Sequence, residues 1–463
     1  MSLYADDNTT ILTDNMSLNH FFNHVNSFQK LSGSKINFNK SCGMFLGKWK
    51  TREDHPFGIS WVQNCKLLGY KFGYNLTLDD IWNPLFIKFN NTLNLWSSRP
   101  MSMKGKSSVL NTFAISKIFY YLFCQPVSSH YIKLFQKACF KFIWGKDFEP
   151  IARKTLYLPF LSGGLNVPDI LSKIKSFFIK HISCLINNTD AVWKYFAIYW
   201  IGLPLRKFNS SFASNLVPHS DYVPPFYKLC LKYFTMFLDT TPISLDTISV
   251  KTVYLSLTTH DVLPKCCIKN PHINFKNVFS NLFSNAIDSS CRNTCFKLIH
   301  GVLYTNVFLK KFKIIKSEKC TFCNFDYEHL SHLFLECSFV SSLRKTVLYI
   351  LHLLSNGNFK LSQKSFQFLD VNGNCDVKYV YLVLLSEYIN TVWYLRNEIK
   401  VNKRNFIPTD LVHRFLTKIK CRIVLDFNRL DSVRFKTYYQ QLCIVDGNTV
   451  KFFSILEASL YMS

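Results

Sequence analysis

No stretch of 18 residues in this 463-residue chain is apolar and free of charge, so a membrane-spanning helix is not expected. The first residues do not follow the basic-then-apolar order of a secretory signal. Internal repeats and extended low-complexity tracts are also missing. That leaves ordinary globular packing, for which a hydrophobic content of 48% is enough. Acids are scarce: 29 Asp+Glu stand against 55 Lys+Arg, a formal charge of +26, which asks for a polyanionic partner. The 16 cysteines are scattered through a large chain and do not read as a disulfide framework. Reduced thiols, mostly buried as small hydrophobes, are expected, and with them a nuclear and cytoplasmic setting.

The length allows about three domains. The most informative stretch opens the chain: Ser2-Leu3-Tyr4-Ala5-Asp6-Asp7, followed by Thr9-Thr10-Ile11-Leu12, reads as a tight β-hairpin with Asp6 and Asp7 at its turn. Adjacent carboxylates at a strand end suit Mg²⁺, a hard cation that they can hold against phosphate oxygens. A solvated turn is the plain alternative. Asp14, Asn15 or Ser17 can cap a helix, and Gly33 can end it. Its Leu18, Phe21, Phe22, Val25, Phe28 and Leu31 share one face, expected to be core. Strands at 35–38 and 44–46, then a hairpin over 67–72, complete the expected α/β opening.

From 76 to 180 the pattern is helical. Between 84 and 180 there are 14 Lys+Arg and three acids (Asp147, Glu149, Asp169), with aromatics interleaved, as in Lys133-Leu134-Phe135-Gln136-Lys137. A helix with one apolar and one basic face can pack inward while tracking a phosphate backbone. Tyr120, Tyr121 and Phe140 are expected in the core. Residues 181–300, punctuated by Pro204, Pro218, Pro224-Pro225 and Pro242, read as a mainly helical connector without chemistry; Cys266-Cys267, Cys291 and Cys295 lack partners at ligand spacing. Then Cys320, Cys323, His332 and Cys337 make C-x2-C-x8-H-x4-C. Two thiolates on a turn and two further ligands from an adjoining helix suit tetrahedral zinc, and four protein ligands make it structural. His329 is a rival fourth ligand. Lys310, Lys311, Lys313, Lys316 and Lys319 alternate with Phe312, Ile314 and Ile315, a basic lead-in suited to RNA or target DNA. Amphipathic helices are expected over 346–463, including 379–397 and a basic stretch with Arg414, Lys418, Lys420 and Arg422.

Several of these segments follow one family's order. Tyr4-Ala5-Asp6-Asp7 resembles the catalytic hairpin of reverse transcriptases. Ser32-Gly33-Ser34-Lys35-Ile36-Asn37 with Lys40-Ser41 is similar to the next palm motif of LINE-type (non-LTR) retrotransposon polymerases, and Leu67-Leu68-Gly69-Tyr70 to their primer-gripping hairpin. Trp96, Arg99 and Met103-Lys104-Gly105-Lys106 resemble the start of the thumb, and Gly163-Gly164-Leu165-Asn166-Val167-Pro168-Asp169 the thumb-to-connector segment. The Cys320–Cys337 cluster, with Glu328, Leu330, Leu333, Phe334 and Leu335, resembles the C-terminal zinc-binding region.

The resemblance implies an α+β fold: a truncated palm at 1–75, a helical thumb at 76–180, a connector at 181–300, a zinc-binding module at 301–345 and a helical region at 346–463. It implies that Asp6 and Asp7 hold catalytic Mg²⁺ and that Lys40, with Lys35 as rival, protonates the departing pyrophosphate. Leu68, Gly69 and Tyr70 would position the primer, while Arg99, Lys104 and Lys106 would touch nucleic acid. The implied partners are an RNA template, a DNA primer or target, and deoxynucleoside triphosphates, with no membrane. In that family a further palm aspartate lies well upstream of the hairpin, whereas six residues precede Asp7. The chain therefore resembles a C-terminal part of such a polymerase and is not expected to polymerise alone. A non-enzymatic nucleic-acid-binding protein of thumb and zinc knuckle is the alternative, and a zinc-stabilised interaction protein a third.

Overall fold

The computed structural model describes residues 2–4, 7–187, 191–210, 212, 222–240, 248–259, 262–355, 362–371, 375–447 and 449–457. Strands β1 (Ser2–Tyr4) and β2 (Asp7–Thr9) pair antiparallel with Tyr4 opposite Asp7, so Asp7 begins a strand and is not the turn residue expected. Asp6 lies outside the described residues, as does the side chain of Asp7. Helix α1 (Asn15–Ser32) begins at Asp14, whose carboxylate accepts the Ser17 N–H at 2.6 Å, and ends at Gly33 with φ +72°. Its apolar stripe is not the core face expected. Leu18 and Phe22 are buried, the latter stacked on Phe57, but Phe28 is 62% and Leu31 90% exposed. Periodicity put these side chains on one face; no described element covers the far end of it.

The expected strand at 35–38 is absent. Asn37 folds the chain back instead: its side chain accepts the Lys40 N–H and its carbonyl the Lys40 and Ser41 N–H groups. The short strand nearby is β3 (Cys42–Gly43), not 44–46, and it pairs in parallel with β4 (Ser60–Trp61). The expected second hairpin is present as β5 (Asn64–Leu67) and β6 (Tyr70–Gly73). Leu68 and Gly69 both have positive φ, +46° and +85°, as a two-residue primed turn requires.

The remainder is helical. Helices α2 (Leu78–Ser97), α3 (Met103–Val109), α4 (Ser116–Cys124), α5 (Ser129–Trp144), α6 (Arg153–Tyr157) and α7 (Ile170–Ile186) come first. A π-helical turn at 110–114 joins α3 to α4. Next are α8 (Trp193–Leu205), α9 (Pro225–Thr240), α10 (Val250–Thr259), α11 (Lys265–Lys269), α12 (Phe275–Leu282), α13 (Ser289–Ile299) and α14 (Asn306–Lys311). The chain closes with α15 (Ser341–Leu354), α16 (Gln363–Phe368), α17 (Cys375–Asn402), α18 (Pro408–Phe427), α19 (Ser432–Tyr439), the hairpin β7 (Cys443–Asp446) and β8 (Thr449–Phe452), and α20 (Ser454–Glu457). Among the described residues the fold is thus mostly helical with four two-stranded sheets, compatible with α+β. No helix there is long and apolar enough to cross a membrane.

One contiguous apolar core runs from Trp82 to Leu456. Helix α17 lies at its centre, against α13, α15, α18 and α19. Every residue from 380 to 385 is buried, so α17 is not the amphipathic helix expected over 379–397: it has neighbours on all sides. The segment 163–169 seals α6 against α12. A Cβ on Gly163 would lie 2.4 Å from Phe279, and one on Gly164 1.9 Å from the Leu158 carbonyl, so neither position accepts a side chain. Asp169 then caps α7 through the Leu171 N–H and the Ser172 hydroxyl.

Candidate metal centre

Residues 318–328 form a narrow ribbon. The Glu328 N–H donates to the Glu318 carbonyl at 2.8 Å and the Cys320 N–H to the Asp326 carbonyl at 2.7 Å. At its tip Asn324, with φ +59°, donates its N–H back to the Cys320 carbonyl. This turn aims Cys320 and Cys323 to one side. The other two ligands come from a π-helical turn at 332–336, closed by the Cys337 N–H on the His332 carbonyl at 2.8 Å. Closing over five residues instead of four brings Cys337 above His332, which an α-turn at this spacing would splay apart.

The four ligand atoms all lie within 4.8 Å of one another. Cys320 Sγ is 3.9 Å from Cys337 Sγ, and Cys323 Sγ is 3.4 Å from His332 Nε2. A tetrahedral zinc with Zn–S near 2.3 Å and Zn–N near 2.0 Å would hold its ligands roughly 3.5–3.8 Å apart, so the donor set fits in kind and in size. The hydrogen bond between Cys320 and Cys337 raises the pKa of the first thiol and lowers that of the second. Asp326 Oδ2 lies 3.7 Å from His332 Nδ1, on the side of the ring away from the thiols. His329, the rival ligand, is exposed and outside the cluster.

A buried charge network holds this ribbon to the body. The fully buried Glu328 accepts the N–H groups of Asn306 and Thr321 at 2.8 Å each, the Thr321 hydroxyl at 2.5 Å, and Arg396 Nη2 of α17 at 2.5 Å. Arg396 also donates to Asn306 Oδ1 at 3.0 Å, and Lys400 donates to the same oxygen. Sequence reasoning named Glu328 but not Asn306, Arg396 or Lys400. The available signal was an arginine directly after the apolar stretch Val392–Leu395 of α17.

The remaining residues singled out from the sequence are spread over the molecule. Lys35 and Lys40 are exposed in the loop after α1. Leu68, Gly69 and Tyr70 are docked on α4: Tyr121 Oη donates to the Gly69 carbonyl at 2.7 Å, Tyr120 Oη to the Leu68 carbonyl, and Tyr70 Oη to the Tyr120 carbonyl. Tyr120, 49% exposed, is therefore a clamp on that hairpin and not the core residue expected, while Phe140 is core. Arg99 lies 4.5 Å over Trp96, and Lys104 5.3 Å over Phe160. Half-buried Lys106 donates to the Ile143 carbonyl at 3.3 Å. On α5, Lys133, Lys137 and Lys141 line an open cleft of about 380 Å³ with Arg153, Asp147 and Glu149. The lead-in lysines are exposed, with Lys310 paired to Glu318 at 3.1 Å. Arg422, in contrast, is buried and holds Asp426 at 3.0 Å, so it belongs to the core and not to a basic surface.

Comparison with known proteins bears on this centre directly. Residues 249–343 match a family described as zinc-binding in reverse transcriptase, a span reaching from α10 through the Cys/His cluster. The chain is also similar to the "Transposon TX1 uncharacterized 149 kDa protein" of Xenopus laevis, with 27% identity over 191 residues. That alignment covers 39% of this chain and 14% of the transposon protein. Residues 249–343 thus carry a zinc-binding region of the reverse-transcriptase type, in a chain that is similar over part of its length to a transposon protein.

Proposed function

We propose that the chain is the C-terminal part of a LINE-type reverse transcriptase, in which a zinc-stabilised module and a basic helical body grip nucleic acid during RNA-directed DNA synthesis. The convergence of Cys320, Cys323, His332 and Cys337 inside the matched region carries this reading. In it these four hold one structural zinc, which supplies folding energy and no open coordination position. Asp6 and Asp7 hold Mg²⁺ in the palm remnant of residues 1–75, with Lys40 as proton donor. The Leu68–Tyr70 turn presents the primer, and Arg99, Lys104 and Lys106 of the thumb follow the RNA–DNA duplex. Deoxynucleoside triphosphates are the substrates of the intact polymerase, and the protein works in nucleus and cytoplasm.

The purified chain should contain one zinc, lost in Cys323→Ser, and should bind single strands with an affinity that falls steeply with salt. A chain that is folded without zinc and indifferent to nucleic acid overturns the proposal. A second reading, binding without synthesis, is favoured by one observation: the cluster offers four protein ligands, which leave a bound zinc no open position for chemistry. Primer extension separates the two. Incorporation abolished by Asp7→Asn, by the chain alone or joined to an upstream palm and fingers, supports the polymerase, and tight binding without incorporation in both settings supports the binder.

A further inference from the structure

A cavity of about 580 Å³ opens beside the zinc module, between the end of α13, the start of α14 and the last turns of α17. Its apolar wall is Leu303, Leu309, Tyr304 and Trp393, and its charged wall is Lys297, Arg396 and Lys400. Lys146, from the loop after α5, reaches over the Tyr304 ring at 4.0 Å. Charge around this cavity is one-sided. Glu328 is the carboxylate within reach, and Arg396 consumes it. Lys400 is spent on Asn306, while no described group accepts a hydrogen bond or forms an ion pair with Lys297. Burial, and then the nearby charges of Lys146 and Lys106, lower the Lys297 pKa, the mark of an ammonium short of counter-charge. Beside the cavity, Phe148, Phe308 and Phe312 form an aromatic cluster with Tyr304, edge-on between Phe148 and Phe312 and tilted in the other pairs, and Phe148 and Phe312 are exposed.

We propose that this cavity binds one unstacked nucleotide of a single-stranded nucleic acid, its base against the Trp393 and Tyr304 wall and its phosphate on Lys297 and Lys146. The assignment rests on the nucleic-acid reading above and deepens it to a site. Each half of the cavity rejects the rival ligands. An apolar molecule leaves Lys297 unpaired, a metal cation meets only like charge, and an acidic peptide satisfies the lysines but leaves the aromatic wall without a planar partner. A nucleotide brings both an anion and a π-face, and aromatic walls of this kind take any base.

The test uses the zinc-loaded full chain and a single-stranded oligouridylate of about 12 nucleotides, a length typical of single-strand grooves. Carrying 4-thiouridine, the wild-type complex should photocrosslink at Tyr304 or Trp393. A fully abasic strand of equal charge should bind roughly tenfold more weakly, the loss expected for one stacked base. Lys297→Gln, and separately Lys146→Gln on an exposed side chain that folding does not need, should weaken the intact strand several-fold while zinc content stays at one. Competition by millimolar uridine monophosphate shows that the cavity takes a free nucleotide; competition by longer strands alone shows that it needs the chain; both support the site. Salt-sensitive binding with crosslinks elsewhere and both variants matching wild type overturns the cavity assignment alone. So does equal binding of abasic strand, or of polyglutamate, with intact RNA. No strand binding by the wild type overturns the parent reading, and the cavity assignment with it.

Discussion

The contact that most constrains a single side chain is Glu328 with Arg396, an ion pair buried on both sides and bonded further to Asn306 and Thr321. Removing one partner strands the other charge in the core, which costs about 3–5 kcal/mol, more than the intact pair contributes over an apolar substitute. Glu328→Gln should therefore lower the urea midpoint sharply, and Glu328→Met with Arg396→Met should lose less than the sum of the two single changes. Equal losses would show that the pair is not coupled. His300 offers a second residue-level test. Its Nε2 lies 3.0 Å from the Gly163 carbonyl and its ring against Phe296 and Phe279, and burial lowers its pKa from 6.5 to about 4. The unfolded chain then takes up a proton below pH ~6.5 that the folded chain refuses until about 4, so this residue's contribution is full above that window and is lost as pH falls through it. Thermal melts of wild type and His300→Asn should differ most at pH 7.5 and converge toward pH 4.5. A gap independent of pH would exclude the effect.

At the scale of elements, the zinc ribbon has little apolar burial of its own beyond Phe322 stacked on Phe339, and its turn carries two of the four ligands. Chelation should therefore loosen residues 318–328, while the α7–α9–α10 packing, which shares no ligand, stays folded. Hydrogen exchange with and without chelator should show protection lost in the first region and kept in the second; uniform loss would mean that the metal supports the whole body. This module was the most legible part of the sequence, because donor type and spacing are chemical facts that survive any packing. Cap chemistry was legible for the same reason, at Asp14 and Gly33, while the hairpin expected over 67–72 is present with its first strand starting three residues earlier, at Asn64. The failures share a different cause. Phe28 and Leu31 lie on the face that periodicity assigns them, but the pattern cannot say whether anything covers it. Helix α17 looks amphipathic from its scattered polar residues, yet Arg396 is internal because Glu328, distant in sequence, arrives to neutralise it. The π-turn at 332–336 had no local signature at all.

For the whole molecule the governing quantity is charge. The net +26 is compatible with folding because most of the surplus lies on exposed lysines, where water screens it, and because the few interior arginines each have an acid: Arg396 has Glu328, and Arg422 has Asp426 and Asp288. What remains outside is organised. Lys133, Lys137 and Lys141 recur every four residues on α5, so they share one face, while Phe135 and Cys139 between them and Phe142 after them are buried. Asp147 and Glu149 temper this face by pairing with Lys141 at 3.4 Å and Arg153 at 2.6 Å. If the face follows a phosphate backbone, each lysine that meets a phosphate releases about 0.7 of a counterion from a single strand. Replacing all three with glutamine should flatten the dependence of log K on log salt by at most about 2, with Lys141 contributing least because Asp147 already competes for it. The measurement is a set of anisotropy titrations from low to high salt on mixed-sequence strands, which should all shift alike because phosphates carry no sequence information. A loss of affinity at every salt with an unchanged slope would mean that these lysines act through the fold and not through phosphate. A slope change confined to one sequence would mean that α5 reads bases.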